Sequence, residues 1–74
     1  MATILQILGR NIKARRTALD LSQEQLATLS GLHRTYVGAV ERGERNISLL
    51  NLAKLATALQ TEAHGLLESD SLSG

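Results

Sequence analysis

The sequence predicts an all-α domain, a compact bundle of five short helices, and three observations carry that prediction. The composition is rich in Leu and Ala, lacks Pro, Phe, Trp and Cys, and leaves Tyr36 as the single aromatic residue. Apolar residues in the first half fall into one sector when the chain is wound at about 100° per residue, as an amphipathic helix requires. The stretch Ser22–Arg42 then places a small residue at Ala27, a Gly at Gly31 and a β-branched residue at Val37. Two helices that cross closely need that set: Ala27 removes bulk at the contact, Gly31 reverses the chain at φ > 0, and Val37 plugs the crossing. The stretch therefore reads as a helix-turn-helix.

Seventy-four residues without Cys allow one domain, expected over residues 1–68 with a flexible tail at 69–74. A chain of about 60 residues buries only ~60% of the surface that it exposes when unfolded, so the core is thin. With no disulfide to staple it, it must rest on helix packing or on self-association. The opening MATILQIL has no basic segment before it and reaches Arg10 too soon for a signal peptide or a membrane span. A cytoplasmic, nucleoid-associated protein is expected, with no membrane partner and no cofactor.

Helix 1 is expected from about Thr3 to Leu19, with Leu5, Leu8, Ile12, Arg16 and Leu19 in one sector and Arg10, Lys13 and Thr17 opposite. Arg16 sits at the edge of the buried stripe and needs a carboxylate, because an unpaired buried charge is costly. Asp20 at i+4 and Glu41 are the candidates, Glu41 being preferred; the plain alternative is an Arg that snorkels to water. Ser22 opens helix 2, about residues 23–30, with the capping-box pattern Ser22 to Gln25. Leu26 and Leu29 are expected to face inward. Gln23 stands in the first turn, beside free N–H groups that favour phosphate, and adds a donor able to bridge phosphate and base. A merely solvated Gln is the alternative.

Helix 3 is expected over about residues 33–42, with His33 as its N-cap. Tyr36, Val37, Val40 and Glu41 occupy the core-facing half, and Arg34, Thr35, Gly38, Ala39 and Arg42 the other. The second half works against local stability. Arg34 opposes the positive end of the helix dipole, at a cost of about 0.3–1 kcal/mol, and Gly38 in mid-helix costs roughly 1 kcal/mol relative to Ala. An outside partner accounts for such choices. A slim face of Gly38 and Ala39 behind Arg34 and Thr35 fits a major groove, where Arg pairs with guanine O6/N7 and Thr offers a hydroxyl or a methyl. Arg34 on a phosphate is the second reading. Tyr36 either donates its hydroxyl to a phosphate or only fills the core. Glu41 is the inward carboxylate that Arg16 lacks, and their pair would be structural.

Gly43 ends helix 3 in a C′-like position. Arg45 and Asn46 in the following loop lie beside the recognition surface, within reach of a sugar-phosphate backbone. Ser48 caps helix 4, Leu49 to Leu59, expected to bury Leu49, Leu52, Ala53, Ala56 and Leu59. A short helix 5 is expected over Ala63 to Leu67, with His64 on its surface. Leu50, Leu55, Leu66 and Leu67 exceed what so small a core covers, so residues 49–67 are read as a dimerisation region. The alternative is that these leucines close the five-helix core.

Charge is uneven. Residues 1–45 carry seven basic against four acidic side chains, a net of +3, and residues 46–74 carry a net of −2. One pole suits a polyanion; scattered solvated charge is the plain alternative.

Four segments together resemble the Xre family of helix-turn-helix regulators, the phage repressor and Cro type: LGxxIKxxR (Leu8 to Arg16), LSQEQLA (Leu21 to Ala27), SGLHRTYVGAVERG (Ser30 to Gly43) and SLLNLAKLATAL (Ser48 to Leu59). The resemblance implies a lambda-repressor-like fold with helix 3 in the major groove, Gln23 and the Arg34 to Ala39 face at the DNA, and an Arg16–Glu41 salt bridge. The string RTYVGAVERGERNISLL is similar to the controller proteins of restriction–modification systems, small dimers that regulate their own gene and the endonuclease gene. That similarity implies base reading by Arg34 and Thr35 and phosphate contact by Tyr36, Arg45 and Asn46. Arg42, on the outer half of helix 3, is also expected at a phosphate. The expected function is a homodimeric regulator on double-stranded DNA with a pseudo-palindromic operator, needing no small-molecule ligand. An antitoxin or prophage repressor of the same fold, and a helical interaction module without DNA binding, are the alternatives. An enzyme fits least: there is no Cys nucleophile, and His33 and His64 have no spaced acidic partners.

Overall fold

A computed structural model describes residues 2–69. Thr3 opens the first helix, α1 (Ile4–Ala18), through a reciprocal capping box with Gln6. Ser22 and Gln25 do the same for α2 (Gln23–Ser30), so both helices satisfy otherwise orphaned N-terminal N–H groups. Gly31, at φ 73°, turns the chain into α3 (Arg34–Glu41). Ser48 caps α4 (Leu49–Ala58) by accepting from the Asn51 N–H. The expected fifth helix is a 3₁₀ helix, Ala63–Leu67, because Glu62 offers its first turn no side-chain cap. The tail expected at 69–74 lies, from residue 70 onward, outside the described residues.

α1 packs against α3 and the 3₁₀ helix, α2 against α3 and α4, and α4 against the 3₁₀ helix. The core consists of Leu8, Ile12, Leu26, Ala27, Val37, Val40, Leu52, Leu55, Ala56, Leu59 and Leu66. Gly9 permits the tightest approach. A Cβ there would stand 2.4 Å from the Glu41 carbonyl oxygen and 2.6 Å from that of Val40, so α1 crosses α3 backbone on backbone. On the other side of α1, Arg15 donates from Nε to the Leu59 carbonyl at 2.9 Å and from an outer nitrogen to that of Gln60 at 3.0 Å. A charge expected in the basic pole thus caps the C-terminus of α4, where the helix dipole favours a cation. Asn11 donates to the Leu66 and Glu68 carbonyls and holds the 3₁₀ helix in place.

Several leucines differ from expectation. Leu55 and Leu66 are 0% and 2% exposed and complete the core of the single subunit, so they are not available to a second copy. Leu29, Leu49 and Ala53 are exposed rather than buried, Leu29 to 61% and Leu49 to 84%. In α2 the inward direction is set by Leu26, Ala27 and Ser30, and Leu29 projects about 100° from their mean at 3.6 residues per turn. In α4 the inward line runs through Leu52, Leu55, Ala56 and Leu59. Ala53 is rotated off that line, and Leu49 extends past the end of the core in the first turn. The apolar surface left over is Ile4, Leu29, Leu49, Leu50 and Leu67.

Candidate nucleic-acid interface

α3 carries two faces because its eight residues place Val37, Val40 and Glu41 toward α1 and α2 and leave Arg34 and Thr35 exposed. His33 begins the helix as expected, its Nδ1 accepting from the Thr35 N–H at 3.3 Å. Arg34 and the Thr35 hydroxyl make no hydrogen bond or ion pair among the described residues. A guanidinium held without a carboxylate at the positive end of a helix is free to take an acceptor from outside.

Behind this turn lies a polar network. Arg16 donates from Nε to Glu41 Oε2 at 2.6 Å and from an outer nitrogen to Oε1 at 3.1 Å, and its remaining nitrogen donates to the Leu21 carbonyl at 2.8 Å. This is the two-pronged geometry that makes an Arg–carboxylate pair directional. Both side chains are largely buried, Glu41 to 2% exposure. Asp20, the other candidate partner, instead occupies the turn after α1 at φ 61°. Gln23 joins the network: its Nε2 donates to Glu41 Oε1 at 2.9 Å. One of its two Nε2 hydrogens is therefore committed inside the chain, and the other has no partner among the described residues.

Gly38 is buried rather than open, covered by the ends of Gln23 and Arg42. Arg42 follows α3 as its C-cap and pairs with Glu44 at 3.0 Å, both side chains remaining more than half exposed. Arg10 on α1 borders the same shallow depression as Arg42, which gathers positive charge at this end of the molecule.

The loop after α3 is tied down through Tyr36. Its hydroxyl accepts from Asn51 Nδ2 at 3.3 Å and donates to the Asn46 carbonyl at 3.4 Å, and the Arg45 guanidinium lies over the ring at 5.3 Å. The ring packs half-buried against the core while the hydroxyl orders the loop, so Arg45 and Asn46 stand exposed next to the first turn of α3. Gly43, at φ 74°, makes the reversal that brings them there. Sequence reasoning did not single out Asn51 or Gly9; Asn51 is legible only once α3 and α4 are placed side by side.

Residues 12–66 match the family model described as helix-turn-helix (HTH_3). Control protein C.SmaI of Serratia marcescens is 52% identical over 69 residues, spanning 93% of this chain and 82% of that one. The crystal structure of the restriction–modification controller protein C.AhdI from Aeromonas hydrophila matches with a TM-score of 0.82 at 58% identity, over 84% of this chain and 94% of that one. SinR, the master regulator for biofilm formation, in a crystal structure in complex with DNA, matches with a TM-score of 0.79 at 31% identity, over 82% and 98%. The chain belongs to the helix-turn-helix family in its Xre type, whose members here are regulators of transcription and not enzymes. Within that family it stands beside the restriction–modification controller proteins. No helix among the described residues is long and apolar enough to cross a membrane.

Proposed function

We propose that the protein is the controller protein of a restriction–modification system, acting in the cytoplasm as a homodimer on a pseudo-palindromic operator in double-stranded DNA. Each subunit lays α3 in a major groove, the two grooves lying on one face of the duplex about 34 Å apart. Arg34 and Thr35 read base edges, with Ala39 keeping the face slim. Arg45 and Asn46 hold the sugar-phosphate backbone and fix the register, while Tyr36, whose one hydroxyl hydrogen goes to the Asn46 carbonyl, orders their loop instead of meeting a phosphate itself. The apolar surface at Leu49, Leu50 and Leu67 joins the subunits, since a monomer has no use for so exposed a set.

The observation that carries this reading is the exposed, unpartnered Arg34 at the start of α3, backed by similarity to controller proteins along most of the chain. Footprinting on the DNA upstream of its own gene, over a range of protein concentration, tests it. Protection of two half-sites one helical turn apart is expected, with affinity that falls steeply as salt rises. Arg45→Ala should weaken all sequences alike and make the salt dependence shallower. Binding indifferent to both sequence and salt would refute a DNA-directed role.

A further inference from the structure

Arg15 spends its donors on the last carbonyls of α4. At the end of α3 the backbone does that work, because the N–H groups of Arg42, Gly43 and Glu44 take the carbonyls of Gly38, Val40 and Ala39 at 3.1, 3.0 and 2.9 Å. No guanidinium is needed there. Arg42 gives only its Nε, to the exposed Glu44, and Arg10 makes no hydrogen bond or ion pair among the described residues.

The two cations nonetheless border one depression, together with Ala2, Gln6 and Glu41. Glycines bring them there: Gly9 lets the backbone of α1 rest on the Val40 and Glu41 carbonyls, and a Cβ on Gly43 would stand 3.3 Å from Gln6 Cα. Gln6 Oε1 accepts from the Thr3 N–H at 2.9 Å, so Nε2 is the free end of its amide, with two hydrogens to give. Glu41 is already answered by Arg16 and Gln23. The depression therefore collects donors and positive charge around no unanswered carboxylate. Like charges gathered in this way repel, and an anion from outside accounts for them.

The position of the depression says which anion. An outer nitrogen of Arg42 lies 3.3 Å from the point where a Cβ on Gly38 would stand, on the half of α3 that carries Arg34 and Thr35. The depression is thus continuous with the face turned to DNA, and lies at the opposite end of α3 from its first turn, where Arg45 and Asn46 stand.

We infer that Arg10, Arg42 and the Gln6 amide seat one phosphate of the DNA backbone beyond the bases that α3 reads, so that each subunit grips the backbone at both ends of its recognition helix. A phosphate accepts from all three groups and donates to none. The interface then reaches past the helix-turn-helix onto α1. The inference rests on the DNA-binding reading above.

The test uses the duplex recovered by footprinting upstream of the gene, with single phosphates neutralised in turn as methylphosphonates. It compares the wild type with Arg10→Ala, Gln6→Glu and Lys13→Ala. Lys13 is a basic residue of α1 that does not border the depression, so its variant measures the loss of one positive charge alone. Neutralising one phosphate that flanks a half-site should weaken the wild type about tenfold, the scale of a charge-assisted hydrogen bond. Arg10→Ala should bind the unmodified duplex about tenfold more weakly per subunit, ignore that neutralisation, and reduce the salt slope by about 1 per subunit. Arg10 has no partner in the fold to lose. Gln6→Glu still accepts from the Thr3 N–H and sets an acid in the first turn of α1, so the helix stays capped. It should keep its melting temperature and lose at least as much affinity as Arg10→Ala, because a carboxylate now faces the phosphate. An Arg10→Ala protein that matches Lys13→Ala and still responds to the flanking phosphate would overturn the seat, as would a Gln6→Glu protein that binds as tightly as the wild type. A wild type that footprints its operator and responds to no flanking phosphate would overturn it too, with DNA binding left standing. The lack of any footprint defeats the DNA-binding reading itself.

Discussion

Val37, Val40 and Glu41 on one face of α3, and Arg34, Thr35 and Gly38 on the other, lie within about two turns of the same helix. On the inner face every group is matched. Val37 and Val40 are 0% and 1% exposed, and Glu41 has three donors for its two oxygens. On the outer face the choices oppose helix stability: a cation at the positive end, a glycine in the middle, a hydroxyl with no partner. The comparison teaches that this helix is made stable by its neighbours and made useful by residues that reduce its own stability. Gln23 is where the two meet, since one end of its amide answers to the core and the other faces outward.

That contrast can be broken by substitution, and the largest effect is expected on the inner face. Glu41→Ala leaves the Arg16 guanidinium at a buried site without its carboxylate, and should cost about 3–5 kcal/mol in urea unfolding. Gly9→Ala drives a methyl into the backbone of α3 and should cost about 1–3 kcal/mol, with core overpacking as the mechanism. On the outer face the sign reverses. Gly38→Ala should raise stability by about 0.5–1 kcal/mol, because the Arg42 end it meets at 3.3 Å is exposed and can shift, while operator affinity falls. Arg34→Ala should raise stability by about 0.3–1 kcal/mol through the removed dipole clash, and should erase sequence preference at one position in each half-site. Paired unfolding and operator titrations check both outer variants. If either destabilises the fold while leaving operator affinity unchanged, the division between the faces is wrong.

Much of the fold is legible in the sequence because it is signalled locally. Ser22, His33 and Ser48 cap their helices, Gly31 and Gly43 take positive φ, and the Arg16–Glu41 pair follows from two misplaced charges on facing helix edges. The rest depends on contacts between segments. α4 reads LLNLAKLATA, apolar around most of its circumference, so periodicity has too little contrast to choose between Leu49 and Leu55. Packing against α2 and the 3₁₀ helix makes that choice. Gly9 carries no turn signal, since its importance lies in a backbone 32 residues further along the chain. The outward residues Arg34, Thr35, Arg45 and Asn46 could be nominated because exposed groups announce themselves by chemistry. The amide orientation of Gln23 could not, because the partner that sets it is Glu41 across the crossing.

Tyr36 links pieces of the chain that a dimeric reader of DNA has to keep in fixed proportion. Through one phenol oxygen, α3 is fastened to Asn51 in the opening turns of α4, next to Leu49 and Leu50, and to the loop that holds Arg45. If the subunits join at those leucines, the phenol acts as the rivet of a caliper: it sets how stiffly the distance between the two recognition helices is kept. A loosened rivet would leave each arm able to bind and let the pair tolerate half-sites spaced a base pair too near or too far.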